Sequence, residues 1–476
     1  MESQVNPAKS PSVGGAGSDL HLELSDGPGG RRGALIRALR EAVRAGRLTP
    51  GTRLPPYRVL AADLGVARNT VAEAYAELVA EGWLTARQGS GTRVAHRAEP
   101  PGNGRPRRPT TPSRPRRPAY DLVQGTPDAS AFPRTAWLAS ARRALSAAPN
   151  EAFGPGDPRG RAELRHAVAE YLGRARGVRA DPERIVVCSG FANALRLLGQ
   201  VLEGTIAVES YGLGFHRSLL TAAGLTTATL PIDEHGARVE HLAATGARTV
   251  LLTPAHQFPT GGPLHPRRRA ALIDWACAQG GLVLEDDYDG EFRYDRQPVG
   301  AVQGLDPERV VYIGSVSKSL SPALRLGWMV LPGHLVDAVL AVKGERESWA
   351  SALEQLTLAD FIASGSYDRH VRRMRRHYRR RRDRLVAALA ERAPHVRVTG
   401  IAAGLHAVLG LPEGTERTVV QAAAWQGLAV EGLGLYRHGE ATGVPDDGLV
   451  VGYGTPADHA FAGALDALCE ALPPGP

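Results

Sequence analysis

The sequence predicts two folded parts of different class. The first is a small α+β domain, helices closed by a β-hairpin; the second is a large α/β domain on a mostly parallel sheet. Three observations predict this. Charge is spread unevenly along the 476 residues. One Pro- and Arg-rich stretch interrupts the hydrophobic pattern. That pattern is helical before the interruption and becomes short β-branched runs between helix-length segments after it. The hydrophobic content of 43% excludes a fibrous or largely disordered chain. No apolar stretch approaches the ~18–20 residues that cross a bilayer. Met1 to Ser18 lack the apolar core of a secretory signal. A cytoplasmic protein without a membrane partner is expected. Cys188, Cys277 and Cys469 lie far apart, which excludes a disulfide scaffold and gives no metal-ligand spacing.

The chain carries 57 basic and 49 acidic side chains, a net charge of +8. Residues 1–95 hold 12 basic and 9 acidic, and residues 96–119 hold seven arginines and one glutamate. Residues 120–476 hold 38 and 39, so the excess lies wholly in the N-terminal quarter. Such asymmetry suggests a nucleic-acid-binding part joined to a near-neutral part, although a solvated basic tail gives the same count. Only three of the 57 basic residues are lysines: Lys9, Lys318 and Lys343.

Residues 1–25 are polar and Gly/Ser-rich and are expected to be a disordered tail. The first domain is expected over 26–95. Leu35, Ile36, Leu39 and Val43 recur at helical spacing, predicting an amphipathic helix from about Gly30 to Ala45. A Pro/Gly break follows at 49–56. A short helix, Arg58 to Leu64, stops at Gly65. A further helix starts near Arg68 with Val71, Tyr75, Leu78 and Val79 on one face. Helix, Gly-containing turn and helix make a helix-turn-helix. Two β-prone runs, 83–85 and 92–94, flank Gln88-Gly89-Ser90-Gly91 and predict a hairpin, or wing. In this arrangement the start of the second helix meets base edges in the major groove. Arg68 and Asn69 suit guanine and adenine, and Thr70 a phosphate or a thymine methyl. Arg58 and Arg87 are placed for phosphates, while Gly89 and Gly91 let the wing backbone approach a groove. A double-stranded DNA operator is the expected partner.

Residues 96–119 (HRAEPPGNGRPRRPTTPSRPRRPA) have no apolar side chain larger than Ala and read as a semi-extended linker. From residue 120 onward, strands are predicted at 185–187, 206–208, 250–252, 282–284, 310–312 and 328–330. Ligands of such sheets collect at the carboxyl ends of the strands. Five of these strands run out into polar segments: Ser189 to Asn193, Tyr211 to Gly214, Thr253 to Gln257, Asp286 to Tyr288, and Ser315 to Lys318. A lysine condenses with an aldehyde and an arginine does not. This chain, which nearly always uses Arg, keeps Lys318 at a strand end. Pyridoxal phosphate (PLP) needs a Schiff-base lysine, an acid against its ring nitrogen and a phosphate cradle. Lys318 supplies the first and Asp286 the second. Ser315, Ser317, Arg325 and the amides at Gly190 and Phe191 suit the phosphate, and Tyr288 the ring hydroxyl. His256 either touches the ring or packs near it. Cys188 reads as a core residue. The run Arg372 to Arg384 reads as a solvated or dimer-facing helix with Val371, Met374, Tyr378 and Leu385 on its apolar face.

Residues 54–94, including Arg-Asn-Thr-Val at the helix start and Gly-Ser-Gly in the wing, resemble the GntR winged helix-turn-helix. The later features resemble type-I-fold PLP-dependent aminotransferases. The combined chain resembles the MocR/GabR family of transcription regulators from about residue 30 onward. Stretches that carry the likeness include Gly125 to Asp128, TPAHQFPTG (253–261), EDDYDGEFRY (285–294), SKSLSPALRL (317–326) and the arginine-rich helix 367–384. The resemblance implies an aminotransferase-like domain over 120–476, with a large subdomain at about 155–330 and a small one at 331–476. It also implies PLP as a Schiff base on Lys318, Asp286 at the ring nitrogen, Tyr288 at the ring hydroxyl and Arg325 at the phosphate. A head-to-tail homodimer follows from the same likeness.

The chain departs from the family in several places. The ring-stacking Tyr of Glu-x-Pro-Gly-Tyr is Leu213 here, with Tyr211, Phe215 or His216 as substitutes. Tyr-Gly-Asp-Pro is Pro155-Gly156-Asp157-Pro158. The Gln-Gln after the phosphate-loop Gly is Ala192-Asn193. The Asn before Pro-Thr-Gly is Phe258. No arginine for a substrate carboxylate is evident, Arg437 being a weak candidate. The expected function is a DNA-binding regulator that senses PLP or an amino compound. The alternative is a competent aminotransferase fused to a DNA-binding domain, and a regulator that has lost PLP is a third reading.

Overall fold

The computed structural model describes residues 22, 24, 30–87, 91–96, 118–294, 299–344, 350–439 and 447–475. The chain forms two compact units, Met1–Arg116 and Arg117–Pro476. Most of the 1–25 tail and of the 96–119 linker, together with Gly89, lie outside the described residues. Leu22 and Leu24 correct the tail: both pack against the core of the first unit, because apolar side chains near an open core gain by covering it.

In the first unit, α1 (Gly30–Arg44), α2 (Tyr57–Asp63) and α3 (Arg68–Ala80) precede the hairpin β1 (Leu84–Arg87) and β2 (Gly91–Val94). Leu35, Ile36, Leu39, Leu60, Val71, Tyr75 and Leu78 form the buried core. Gly65 turns the chain between α2 and α3 with φ +61°, a conformation that costs glycine little. The Tyr75 hydroxyl donates to the Pro55 carbonyl at 3.0 Å and ties α3 to the preceding loop. The Pro/Gly break does more than separate helices. Gly51 and Leu54 donate to Val94 and Thr92 and lie along β2.

The second unit contains a seven-stranded sheet. Its order is Ile185–Cys188, Gly327–Val330, Val310–Ser315, Leu282–Asp286, Thr249–Leu252, Thr205–Glu209 and Thr226–Leu230. Gly327–Val330 runs antiparallel to both neighbours and the other pairings are parallel. The six expected strands are present. The edge strand Thr226–Leu230 was not foreseen, because TTATL is threonine-rich and mostly half-exposed. Buried Val, Ile and Leu on both faces pack against helices, as a doubly covered parallel sheet requires.

A smaller lobe contains a four-stranded antiparallel sheet, Arg397–Thr399, His406–Gly410, Gly448–Gly452 and Glu431–Gly432. Helices Ser366–Arg392 and Asp458–Ala471 share one apolar cluster with it. The expected boundary at 331 is too early. Leu335 and Val339 of helix Gly333–Lys343 join the cluster under the large sheet. Leu358 and Phe361 of helix Ala352–Ala363 join another cluster of that lobe. In the arginine-rich helix, Val371, Met374, Tyr378 and Leu385 are buried as the spacing predicts. Arg381 is buried too, with Asp128 at 3.2 Å and Asp458 at 2.8 Å. Among the described residues, no helix is long and apolar enough to cross a membrane.

Candidate functional site

Helix α3 begins after Ala67, which offers no side-chain cap. Thr70 N donates to the Ala67 carbonyl at 3.0 Å. The amides of Arg68 and Asn69, which no side chain caps, suit an acceptor from outside such as a phosphate oxygen. Arg68 and Asn69 are exposed there, and Thr70 is half-buried. The Arg68 guanidinium lies 5.3 Å from the centre of the Tyr57 ring, which steers it across the start of α3. Arg58 and Arg87 are exposed on α2 and β1. Gly91 opens β2 with φ +80°, and Arg53 Nε stands 3.2 Å from where a Cβ would be. Arg53 was missed in the sequence. Only its pairing with Arg93 across the break brings it to the wing.

In the second unit the strand ends surround a cavity of about 240 Å³. Gly190, Phe191, Asp286, Tyr288, Ser315, Ser317, Lys318 and Arg325 all line it. Lys318 Nζ donates to the Gly125 carbonyl. Burial lowers the Lys318 pKa, and the carboxylates of Asp289 and Asp286 partly oppose this. Asp286 ends its strand with 7% exposure. Burial, then neighbouring Asp287, pushes its carboxyl well above the usual range, against the charge of Lys318. Asp287 turns the other way. It takes a bidentate pair from Arg176 at 2.6 and 2.9 Å and the Tyr312 hydroxyl at 2.7 Å. Consecutive acids thus do different work, one in the cavity and one in the core.

Burial, then Asp289 and Asp286, keeps the Tyr288 phenol protonated well past its ordinary range. Its hydroxyl is 3.0 Å from His256 Nδ1, which is itself 2.8 Å from Asp289 Oδ2. His256 does not line the cavity. It stands beside Tyr288, between that hydroxyl and Asp289.

At the opposite end, helix Phe191–Val201 starts from Gly190, at φ +108°, without a side-chain cap. Gly190 also sits where Gly327 passes: a Cβ on Gly327 would meet Gly190 Cα at 2.9 Å. Arg325 has φ +52° and is the one described residue other than glycine with positive φ. Such strain persists where surrounding structure and function demand a direction for the side chain. Its Nη2 reaches Ser189 Oγ at 3.4 Å. Two serine hydroxyls, a guanidinium and uncapped helix amides make a donor set that fits a phosphate.

The departures are resolved unevenly. Leu213 and Tyr211 line the cavity, as does His216, whereas Phe215 is 55% exposed and points away. His216 packs 4.6 Å from Phe191, ring centre to ring centre. Burial, then the charge of Lys318, lowers its pKa to about 4, so the ring is neutral. Phe258 packs edge-on to Tyr288 at 5.9 Å. Asn193 Oδ1 accepts from the Ser189 amide at 3.1 Å. Asp157 pairs with Arg159 and Arg165, away from the cavity. Arg437 is exposed and does not line it either. Cys188 is buried in the core, which raises its thiol to about 11.

Sequence reasoning missed Gln124, Glu209, Arg217 and His438, and it named Gly125 and Thr253 within informative stretches without giving either a role at the site. Glu209 accepts from the Thr253 amide at 3.1 Å and hydroxyl at 2.6 Å, and burial raises its pKa to about 7. Both are polar residues at strand ends and were within reach of the strand-end argument. Asp128, His377 and Asp458 bring ligand atoms within 4.8 Å of one another. Arg381 already supplies the cation between these two carboxylates.

Residues 32–94 match the gntR family of bacterial regulatory proteins, and residues 121–448 match aminotransferase class I and II. The chain belongs to the MocR/GabR family. It is 33% identical over 443 residues to the HTH-type pyridoxine biosynthesis transcriptional regulator PdxR of Corynebacterium glutamicum, covering 92% of this chain and 95% of that one. It is 36% identical over 444 residues to the probable rhizopine catabolism regulatory protein MocR of Rhizobium meliloti, covering 88% and 89%. The α-aminoadipate aminotransferase LysN of Thermus thermophilus, solved with N-(5'-phosphopyridoxyl)-L-leucine, is similar with a TM-score of 0.66 and 25% identity. That match covers 74% of this chain and 91% of that one. Family membership makes the first unit a GntR-type winged helix-turn-helix and the second a type-I aminotransferase fold. It also makes PLP the implied cofactor, in keeping with the donor set at the cavity.

Proposed function

We propose that this MocR/GabR-family chain is a DNA-binding transcription regulator whose aminotransferase-like domain holds PLP on Lys318 and senses PLP or an amino compound. The observation that carries this reading is that Lys318 and Asp286 line one cavity together with Ser315, Ser317 and Arg325, in a chain that also presents Arg68 and Asn69 at an uncapped helix start. Burial raises the share of Lys318 amine that is unprotonated and nucleophilic. Asp286 offers a carboxylate to a protonated ring nitrogen, and the cation would draw its pKa back down. Tyr288, held by His256, offers a hydroxyl to the ring oxygen. Ser315, Ser317, Arg325 and the amides after Gly190 take the phosphate. PLP supplies an electrophilic carbonyl that condenses with primary amines.

On the DNA side, Arg68, Asn69 and Thr70 read bases, while Arg58, Arg87, Gly89 and Gly91 hold the backbone and groove. The family likeness supports a head-to-tail homodimer and a cytoplasmic location. A ligand moves the DNA affinity only if it binds two arrangements of the protein unequally. The relative that regulates pyridoxine biosynthesis supports PLP itself as one effector.

The intact Lys318–Asp286 pair also favours a second reading, a turnover aminotransferase. One experiment separates the two. Candidate amines are added to the PLP-loaded protein, the coenzyme absorbance is followed, and keto-acid product is measured. A stoichiometric spectral change without repeated product supports the sensor. Many product equivalents per protein would sink it.

A further inference from the structure

Lys318 lies three residues past the strand Val310–Ser315, in a turn outside the sheet ladder. What holds that turn comes from the arginine-rich helix Ser366–Arg392. The Tyr367 hydroxyl is 2.7 Å from Ser319 Oγ, and His370 Nε2 is 2.7 Å from the Ser319 carbonyl oxygen. Ser319, Tyr367 and His370 are all buried. A carbonyl only accepts, so His370 Nε2 carries the ring proton. Its Nδ1 then accepts from Arg373 Nη2 at 3.1 Å. Burial lowers the His370 pKa to about 4, and the ring is neutral. The same helix reaches the segment that follows Asp286. The Tyr367 hydroxyl is also 3.2 Å from Glu291 Oε1, and Arg375 Nε donates to the Glu291 carbonyl at 2.9 Å. A hydroxyl donates one bond and accepts another, so Tyr367 serves both Ser319 and Glu291. The helix is itself anchored twice. Tyr367 and Val371 pack in a large-lobe cluster, and Met374 and Tyr378 pack in that of the small lobe. A buried network of this kind holds one geometry, because each unmade bond would leave a polar group dry.

We propose that Tyr367 and His370 are positioning residues for Lys318: by gripping Ser319 on one side and Glu291 on the other, they set the spacing between the lysine amine and Asp286. The inference rests on the cavity being the PLP site. Neither residue lines that cavity, so each acts through the segment it holds. It also gives the arginine-rich helix a role at the site, carried by two of its buried polar side chains and not by its exposed arginines.

The test titrates the full chain, freed of PLP, with PLP. Coenzyme absorbance and its circular dichroism are followed, and thermal unfolding of the PLP-free chain is measured alongside. The dichroism per bound coenzyme reports how firmly its orientation is fixed. Tyr367→Phe keeps the ring and removes the hydroxyl. It should raise the PLP concentration at half-saturation about three- to tenfold, the scale of one lost buried hydrogen bond, and lower the dichroism. Ser319→Ala should act in the same direction, and the two changes together should weaken binding little more than Tyr367→Phe alone, since they share one contact. His370→Leu should behave like Tyr367→Phe, whereas His370→Gln, whose amide nitrogen can stand in for Nε2, should stay near wild type. If His370→Leu does not fold, Tyr367→Phe and Ser319→Ala decide the matter. Half-saturation and dichroism unchanged in Tyr367→Phe overturn the proposal, even where the unfolding temperature falls, because that is the signature of a purely structural role. A His370→Gln as weak as His370→Leu overturns it too. Failure of the underlying reading looks different. The wild-type chain would then show no coenzyme band, or the band would survive Lys318→Ala, and the inference falls with it.

Discussion

The start of α3 and the cavity of the second unit carry function in opposite physical conditions. Arg68 and Asn69 stand in water, exposed at a helix start. Lys318, Asp286, Tyr288 and His216 are enclosed, and burial is the first cause of every shift they show. Contacts made in water are weak one by one, salt-sensitive and roughly additive. Contacts made in a low-dielectric cavity are strong, pH-sensitive and coupled. A regulator built from both reads DNA with separable small increments and reads its small ligand with a set that works as a whole.

The largest expected effect lies on the cavity side. Lys318→Ala should remove the absorbance of the lysine–PLP imine, because no other described residue brings an amine into the cavity. It should also erase the difference in DNA affinity between PLP-loaded and PLP-stripped protein. The measurement is an absorbance spectrum with a parallel DNA titration. If the difference survives, the cavity is not the sensor and the contrast between the two regions fails.

On the exposed side, Asn69→Ala should act by increments. A good bidentate contact is worth about 1–3 kcal/mol of discrimination. The variant should bind DNA selected by the wild-type protein about 10- to 100-fold more weakly and tolerate substitution at one base position. Competition against single-base variants of that DNA measures this. Uniform weakening with unchanged preference would make Asn69 a backbone contact.

What the sequence made legible divides along the same line. Lys318 was visible because a chain that uses Arg nearly everywhere kept Lys at a strand end. Tyr288 could be grouped with Asp286 because residues two apart on a strand face the same side. The central strands were readable as buried Val, Ile and Leu runs, whereas Thr226–Leu230 was not, being an edge strand of half-exposed threonines. His438 and Arg217 could not be foreseen. They meet because two backbone hydrogen bonds join segments more than 200 residues apart, and neither residue type stands out locally. Choosing His216 and Tyr211 over Phe215 likewise needed the direction in which helix Gly214–Ala222 points. The small-lobe boundary slipped because helices Gly333–Lys343 and Ala352–Ala363 come after the last strand yet pack back on the large lobe.

A smaller effect tests the buried side through pH. Burial raises Glu209 to about 7, against an unfolded value near 4.5. Below the unfolded value both states are protonated and nothing is lost. Between about 4.5 and 7 the unfolded state releases the proton first, so this carboxyl lowers stability as pH rises. Full expression would be about 3 kcal/mol by the relation of roughly 1.4 kcal/mol per unit, and relaxation makes about 1–2 kcal/mol the better expectation. Thermal or urea unfolding of Glu209→Gln across pH 5–8 should show a flatter pH dependence than wild type. An unchanged slope would mean that Glu209 stays ionised, held by Thr253, and that burial does not dominate here.

The smallest effect belongs to the exposed side. Arg58 is exposed on α2 and is placed for a single phosphate. One neutralised phosphate contributes a slope of about −0.9 to the logarithmic dependence of affinity on salt. Arg58→Ala should therefore reduce the salt slope of DNA binding by about one unit per copy bound. Preference among sequences should stay as in wild type, because a phosphate contact carries no base information. Binding isotherms at several salt concentrations, on the selected DNA and on one base-substituted variant, resolve the two quantities. A slope that does not change leaves Arg58 outside the interface. A changed base preference would instead place it in a groove, and the reading surface would then extend from α3 back onto α2.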